Sequence, residues 1–204
     1  MLWTAKLDDH EIVATGEELT DFKESYVSGD LASRMSDLLI FDMYVLDSAF
    51  GVSPHEILAT IRNLEAGEPE NGVKAATQFK HAPLRGLWHK HYFSAHFVAA
   101  NILLGLGKNG MEKLAEEVFD PSQPLITEKM IREMAHRVAN EPIEKRHADG
   151  KLTGEWVVYA KHSNQNYYLA LNTHNAGDQF VYDRIVEHCT KNFPDLREWI
   201  SDVL

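Results

Sequence analysis

The spacing of apolar and polar positions changes near residue 155. Before it, apolar residues recur mostly at helical intervals; after it, two short runs carry the aromatic and β-branched content of strands. Residues 2–7 and 11–15 read as two short strands around the turn-like Asp8-Asp9-His10. Thr20 or Asp21 is placed to cap a helix beginning at Phe22. The strongest helical signal covers residues 31–50. There Leu38, Leu39, Phe41, Met43, Val45, Leu46 and Phe50 make the helix apolar over most of its circumference, with Asp30 at the cap and Gly51 at the stop. A helix of that kind belongs in a core. Ser53-Pro54-His55-Glu56 opens the next one, with Ser at the cap, Pro at the first position and a stripe of Ile57, Ile61 and Leu64.

Residues 67–72 are the most loop-like stretch. The chain is expected to be a single domain over 1–204, and this is where it would subdivide into a helical unit (1–70) and an α+β unit (73–204). From Leu84 a helix is expected to run through Leu104, stopped by Gly105 and Gly107. Residues 111–119 form a short amphipathic helix. A loop at 121–124 precedes a helix from Thr127 to about His147, in which Pro142 is a kink or break point. Residues 155–161 and 167–173 are the clearest strand pair, and helices follow over 179–191 and from Pro194. The fold class is therefore α+β, predominantly helical, with a small antiparallel sheet whose clearest element is the hairpin 155–173.

Composition narrows the function classes. Asp plus Glu is 31 against Lys plus Arg 20, a formal charge of −11, and a field of that sign repels nucleic acid at long range. A nucleic-acid role must then rest on a local patch, and the eleven histidines can supply one as they protonate near pH 6. The single cysteine, Cys189, is expected to be a small buried residue in a reducing compartment, with the cytoplasm as the default location. No apolar run approaches the roughly 18–20 residues of a spanning helix, and the first nine residues lack the pattern of a secretory signal.

Two constellations carry candidate chemistry. Residues 79–93, with His96, form a basic, aromatic-laced island containing Lys80, His81, Arg85, His89, Lys90 and His91. Its histidines are poorly spaced for zinc on a helix, so no metal is expected, although His89 and His91 could chelate from an extended segment. Lys80, Arg85 and Lys90 suit an anion, beside Trp88, Tyr92 and Phe93 for stacking. The same aromatics equally suit a core from which the charges reach outward. In the hairpin, an even turn at His162-Ser163-Asn164-Gln165 puts Trp156, Val158 and Ala160 on the buried face with Tyr167, Leu169 and Leu171. Tyr159, Lys161, Tyr168, Asn172 and His174 then share the other face, either solvated or the floor of a cleft. His, Lys, Tyr and Thr in that arrangement fit metal-independent phosphodiester cleavage. GxxxxGK[ST] and GxSxG are absent, and Gly105-x-Gly107-x-x-Gly110 lacks a preceding strand.

Helices followed by a late hairpin bearing Lys161, His162, Thr173 and His174 resemble the barnase/EndoU/colicin-type ribonuclease superfamily. The resemblance implies a cofactor-free ribonuclease-like protein acting on RNA or another phosphate-bearing ligand. The island and the hairpin together supply the expected site for such a protein, with His91, His174, Lys161 and Arg85 as catalytic groups and Lys80, His89, Lys90, Tyr159, Tyr168 and Asn172 holding substrate. The alternative from composition is a non-enzymatic binding or assembly protein, of phage or plasmid accessory type, whose acidic surface suits a basic protein partner. A metal-dependent enzyme using the island histidines is a third reading.

Overall fold

The computed structural model describes residues 2–7, 10–68, 73–119, 125–149, 155–173 and 176–201. It shows the expected α+β fold, mainly helical with two small antiparallel sheets. The chain divides into two compact units. The larger comprises Met1–Pro69, Ala75–Ser94 and Gly154–Leu204; the smaller comprises Glu70–Lys74 and Ala95–Thr153. Among the described residues, no helix is long and apolar enough to cross a membrane.

The larger unit opens with β1 (Leu2–Lys6) paired antiparallel with β2 (Glu11–Thr15), as the pattern predicts. Helix α1 (Gly16–Tyr26) begins before the expected Thr20 or Asp21 because Thr15 and Glu18 form a capping box. The Glu18 N–H donates to the Thr15 hydroxyl at 3.2 Å and the Thr15 N–H to the Glu18 carboxylate at 2.7 Å. The helix expected over 31–50 is two: α2 (Asp30–Ser33) and α3 (Asp37–Phe50). Between them the backbone is extended and joins the sheet. The Tyr168 N–H donates to the Arg34 carbonyl at 2.8 Å, and the Ser36 N–H to the Tyr168 carbonyl at 3.0 Å. Ser36 then caps α3 through the Leu39 N–H. Helix α4 (Pro54–Ala66) follows, its first turn holding Pro54.

The main sheet has the order β3 (Thr77–Gln78), β4 (Trp88–His91), β5 (Trp156–His162), β6 (Gln165–Asn172), all antiparallel. Strand β4 corrects the helix expected from Leu84: residues 88–91 pair with Trp156–Tyr159, and a helix starts only after the 3₁₀ turn Ala95–Phe97. Strands β5 and β6 meet at a two-residue turn, Ser163-Asn164, with φ of 49° and 62°. Positive φ at both positions is what a type I′ hairpin requires, and it gives the even turn the sequence predicts. Helices α8 (Asp178–Cys189) and α9 (Leu196–Ser201) complete the unit.

One irregularity decides which side chains meet. Tyr159 pairs with Tyr168, but Val158 pairs with Ala170, so Leu169 is an extra residue in β6. Its carbonyl accepts the Ser36 hydroxyl at 2.6 Å and the Cys189 thiol at 3.3 Å, which satisfies the backbone group that the bulge takes out of the ladder. Cys189 is buried, as expected, and burial pushes its thiol up to about 12. Val157, Val158, Tyr159 and Ala160 are buried consecutively, as are Tyr168, Leu169, Ala170 and Leu171. The centre of the β5–β6 hairpin is therefore covered on both faces, whereas alternation predicts one solvated or open face there; Lys161, toward the turn, stays exposed.

In the smaller unit, α5 (Val98–Leu106), α6 (Gly110–Val118) and α7 (Glu128–Ala148) pack together. Pro142 lies inside α7 without ending it. A Cβ on Gly105 would fall 2.6 Å from the Pro142 carbonyl oxygen, so this glycine permits the close approach of α5 and α7. That packing, with Gly107 ending α5 at a φ of 66°, accounts for the glycine-spaced letters without a nucleotide loop.

Candidate functional site

Strand register sorts the expected site residues onto two sides of the main sheet. Cross-strand partners share a face, so Trp88, Tyr159, Lys161 and Tyr168 stand together, with Lys90 on the same side opposite Val157. His89 and His91 point the other way, opposite Val158 and Trp156. The Leu169 bulge moves Asn172 to that second side, where it pairs with Trp156, rather than leaving it beside Lys161 and Tyr168 as even alternation would. Lys80 and Arg85 are exposed in the segment before β4. His174 lies outside the described residues. The sheet thus brings together Tyr159, Tyr168 and Lys161 but separates them from His89 and His91.

On the first side, the partners are structural. The Tyr168 hydroxyl donates to one Glu65 oxygen at 2.6 Å, and the Asn166 side-chain amide donates to the same oxygen at 2.8 Å. Arg34 binds the second Glu65 oxygen at 2.5 Å, Asp30 at 2.9 Å and the Asn166 carbonyl at 2.8 Å. Burial raises the Glu65 pKa, but the bonds from Arg34, Tyr168 and Asn166 outweigh it and hold the carboxyl below its ordinary value. Burial and the Glu65 charge push the Tyr168 hydroxyl up, so it remains a neutral donor. Lys161 lies with its ammonium 3.9 Å from the centre of the Trp88 ring, an exposed cation–π contact.

On the second side, Phe79, His89, His91 and Trp156 form an aromatic cluster. Ring centres are 4.5 Å apart for Phe79 and His89 and 4.9 Å for His89 and Trp156. The Trp156 indole N–H donates to His91 Nε2 at 3.3 Å. That bond occupies the ring lone pair that a general base would use. His91 is 4% exposed and Lys90 6%, too little for either to lie open to a polyanion. Although β4 is extended, no group of three or more His, Cys, Asp or Glu side chains gathers for a metal among the described residues.

A concave site of the larger unit lies elsewhere. A cavity of about 610 Å³ lies among β1, α3, α8 and the C-terminal end of β6. Phe41, Val45 and Leu46 from α3, Leu171 from β6 and Phe180 from α8 supply apolar wall. Asp42 and Arg184 supply the polar floor. Asp42 is 9% exposed, with one oxygen accepting the Arg184 guanidinium and the other the Leu171 N–H at 2.9 Å. Burial, the largest influence, pushes the Asp42 carboxyl up against the pull of Arg184 and the Leu171 N–H. Tyr92 also lines the cavity, its hydroxyl pushed up by burial and by Glu155, Asp42 and Glu56. Of the residues expected to act in catalysis or hold substrate, Asn172 is found in this lining, beside Tyr92 and Thr173.

Sequence reasoning missed Asp42, Arg184 and Phe180. Asp42 did carry a signal: it is a lone acid inside the apolar run from Leu38 to Met43, where a charge needs a buried partner. Arg184 carried none, since it is one of several charges on α8. Compared with known protein families, characterised proteins and solved structures, the chain matches none.

Proposed function

We propose that the larger unit is a binding module for a small amphipathic molecule, held in the cavity between β1, α3, α8 and β6. The observation that carries this reading is the cavity itself, of about 610 Å³, with apolar walls and a buried Asp42 paired with the half-buried Arg184. That size and lining are what drug-sized ligands use: apolar contact supplies affinity and a few fixed polar groups supply orientation. Phosphodiester cleavage would need Arg85, His91 and Lys161 at one phosphate, whereas His91 and Lys161 lie on opposite faces of the sheet. The cavity therefore supports a binding role better than the island and hairpin support a nuclease.

Filling the cavity should abolish the effect of a ligand. Leu46 lines it and is only half-buried, so Leu46→Trp can place a larger side chain in the open space. In melting curves of the full chain screened against small aromatic and alkyl compounds, some should raise the wild-type Tm. A ligand at a hundred times its Kd stabilises by about 2.7 kcal/mol. The Leu46→Trp variant should fold and show no such rise. A ligand that stabilises both proteins equally binds outside the cavity and contradicts the reading.

A further inference from the structure

We infer that the ligand of this cavity is a monocarboxylate with an apolar body, its carboxylate held by Arg184; this rests on the binding role proposed above. Arg184 lines the cavity, and its side chain is 25% exposed. A guanidinium has five N–H donors in a planar fork. Among the described residues, its one hydrogen-bonding partner is Asp42, which engages a single terminal nitrogen. Asp42 is fixed in turn by the Leu171 N–H of β6. The guanidinium also lies over the Phe180 ring, 5.6 Å from its centre. The side chain is thus held from one end and steadied on one face, while donors remain for a molecule in the cavity. Planar, two-pronged donation is the geometry that carboxylates accept best.

The other charges limit the class further. Lys6 adds a second cation to the lining, and Glu155 joins Asp42 as a second carboxylate, so the lining is near neutral as a whole. A dianionic phosphate would meet the Asp42 and Glu155 carboxylates against only Lys6 and a guanidinium partly committed to Asp42. A single negative charge matches the one fork available. The lining also holds Thr4, Asn172 and Thr173, but Phe41, Val45, Leu171 and Phe180 give it apolar walls that suit an aryl or alkyl body. Selectivity then comes from the fork rather than from net charge, and binding should weaken little with salt, unlike that of a polyanion.

The test compares 4-phenylbutyrate, 4-phenylbutyramide and inorganic phosphate by titration calorimetry on the full chain. The acid and the amide share shape and apolar body, so their ratio isolates the charge. The acid is expected to bind about tenfold tighter than the amide or better, and phosphate not measurably. Arg184→Lys, which keeps the charge but loses the fork, should bring acid and amide to within about threefold of each other. The wild-type comparison decides even if that variant is unstable. Equal binding of acid and amide would overturn the carboxylate assignment while leaving the binding role intact. Phosphate binding tighter than the acid would also overturn it. No binding of acid or amide at millimolar concentration would overturn both.

Discussion

Asp42→Ala is expected to destabilise the protein by about 3–5 kcal/mol, the usual consequence of leaving one member of a buried ion pair without its partner. The substitution removes three things at once. The half-buried Arg184 guanidinium loses its anion, and the Leu171 N–H loses its acceptor at the bulged end of β6. A small void also opens beneath the cavity between α3 and α8. The pair itself is a weaker source of stability than this loss suggests, because its attraction is offset by the cost of taking both charges out of water. Asp42→Leu combined with Arg184→Met should therefore recover more than half of the loss. Urea unfolding followed by circular dichroism gives both values from the midpoint and slope. A loss under about 1 kcal/mol for Asp42→Ala would show that the pair is solvated and not the fixed floor of a binding site.

Arg34→Ala is expected to cost about 3 kcal/mol at pH 7, because the Arg34 guanidinium ties α2 to α4 and to the turn end of β6. Its guanidinium holds Asp30, Glu65 and the Asn166 carbonyl, and its side chain is 10% exposed. The effect should depend on pH with a definite sign. Glu65 is held below its ordinary value of 4.5 in the folded protein, so its contribution is complete above that value. It is lost as pH falls below 4.5 and through the lower folded value. The gap between wild type and Arg34→Ala should accordingly narrow in that window. His188 acts in the same direction at higher pH. Burial lowers its pKa from 6.5, so the unfolded chain takes up the proton first and stability declines as pH falls below 6.5. Arg34→Ala leaves this second component untouched. A gap that stays constant from pH 7 to pH 3 would assign the loss to packing rather than to the Glu65 charge.

What the sequence made legible follows from which signals are local. The hairpin was readable because β-branched and aromatic residues flank Ser163-Asn164, a pair whose positive φ values suit a tight turn. The buried position of α3 was readable from its apolar circumference, but not its true start. Ser36 is a sound cap three residues before Leu39, and the apolar run simply overshadowed it. Strand β4 was misread for a concrete reason. Leu84, Leu87, Trp88, His91 and Tyr92 fall at the i, i+3, i+4, i+7 and i+8 positions of a helix, yet residues 88–91 gain ladder bonds from β5 that no local signal announces. The bulge at Leu169 was illegible from alternation, since one extra residue reverses every later side chain. Its determinants, Ser36 and Cys189, are far away in sequence. The expected site inherited both errors: His89, His91 and Asn172 ended on the side of the sheet opposite Lys161 and Tyr168. The cavity was beyond local reading because its floor joins residues 142 positions apart.

The most direct measurement is chemical-shift mapping of the full chain, isotope-labelled, titrated with 4-phenylbutyrate near neutral pH. The largest changes are expected at Phe41, Val45, Leu171 and Phe180 and at the Arg184 side-chain N–H groups, saturating together with one Kd. Those residues come from three separate elements and meet only around the cavity. Changes centred instead on Arg85 and Lys161, or spread evenly over the surface, would contradict the assignment of this cavity as the functional site.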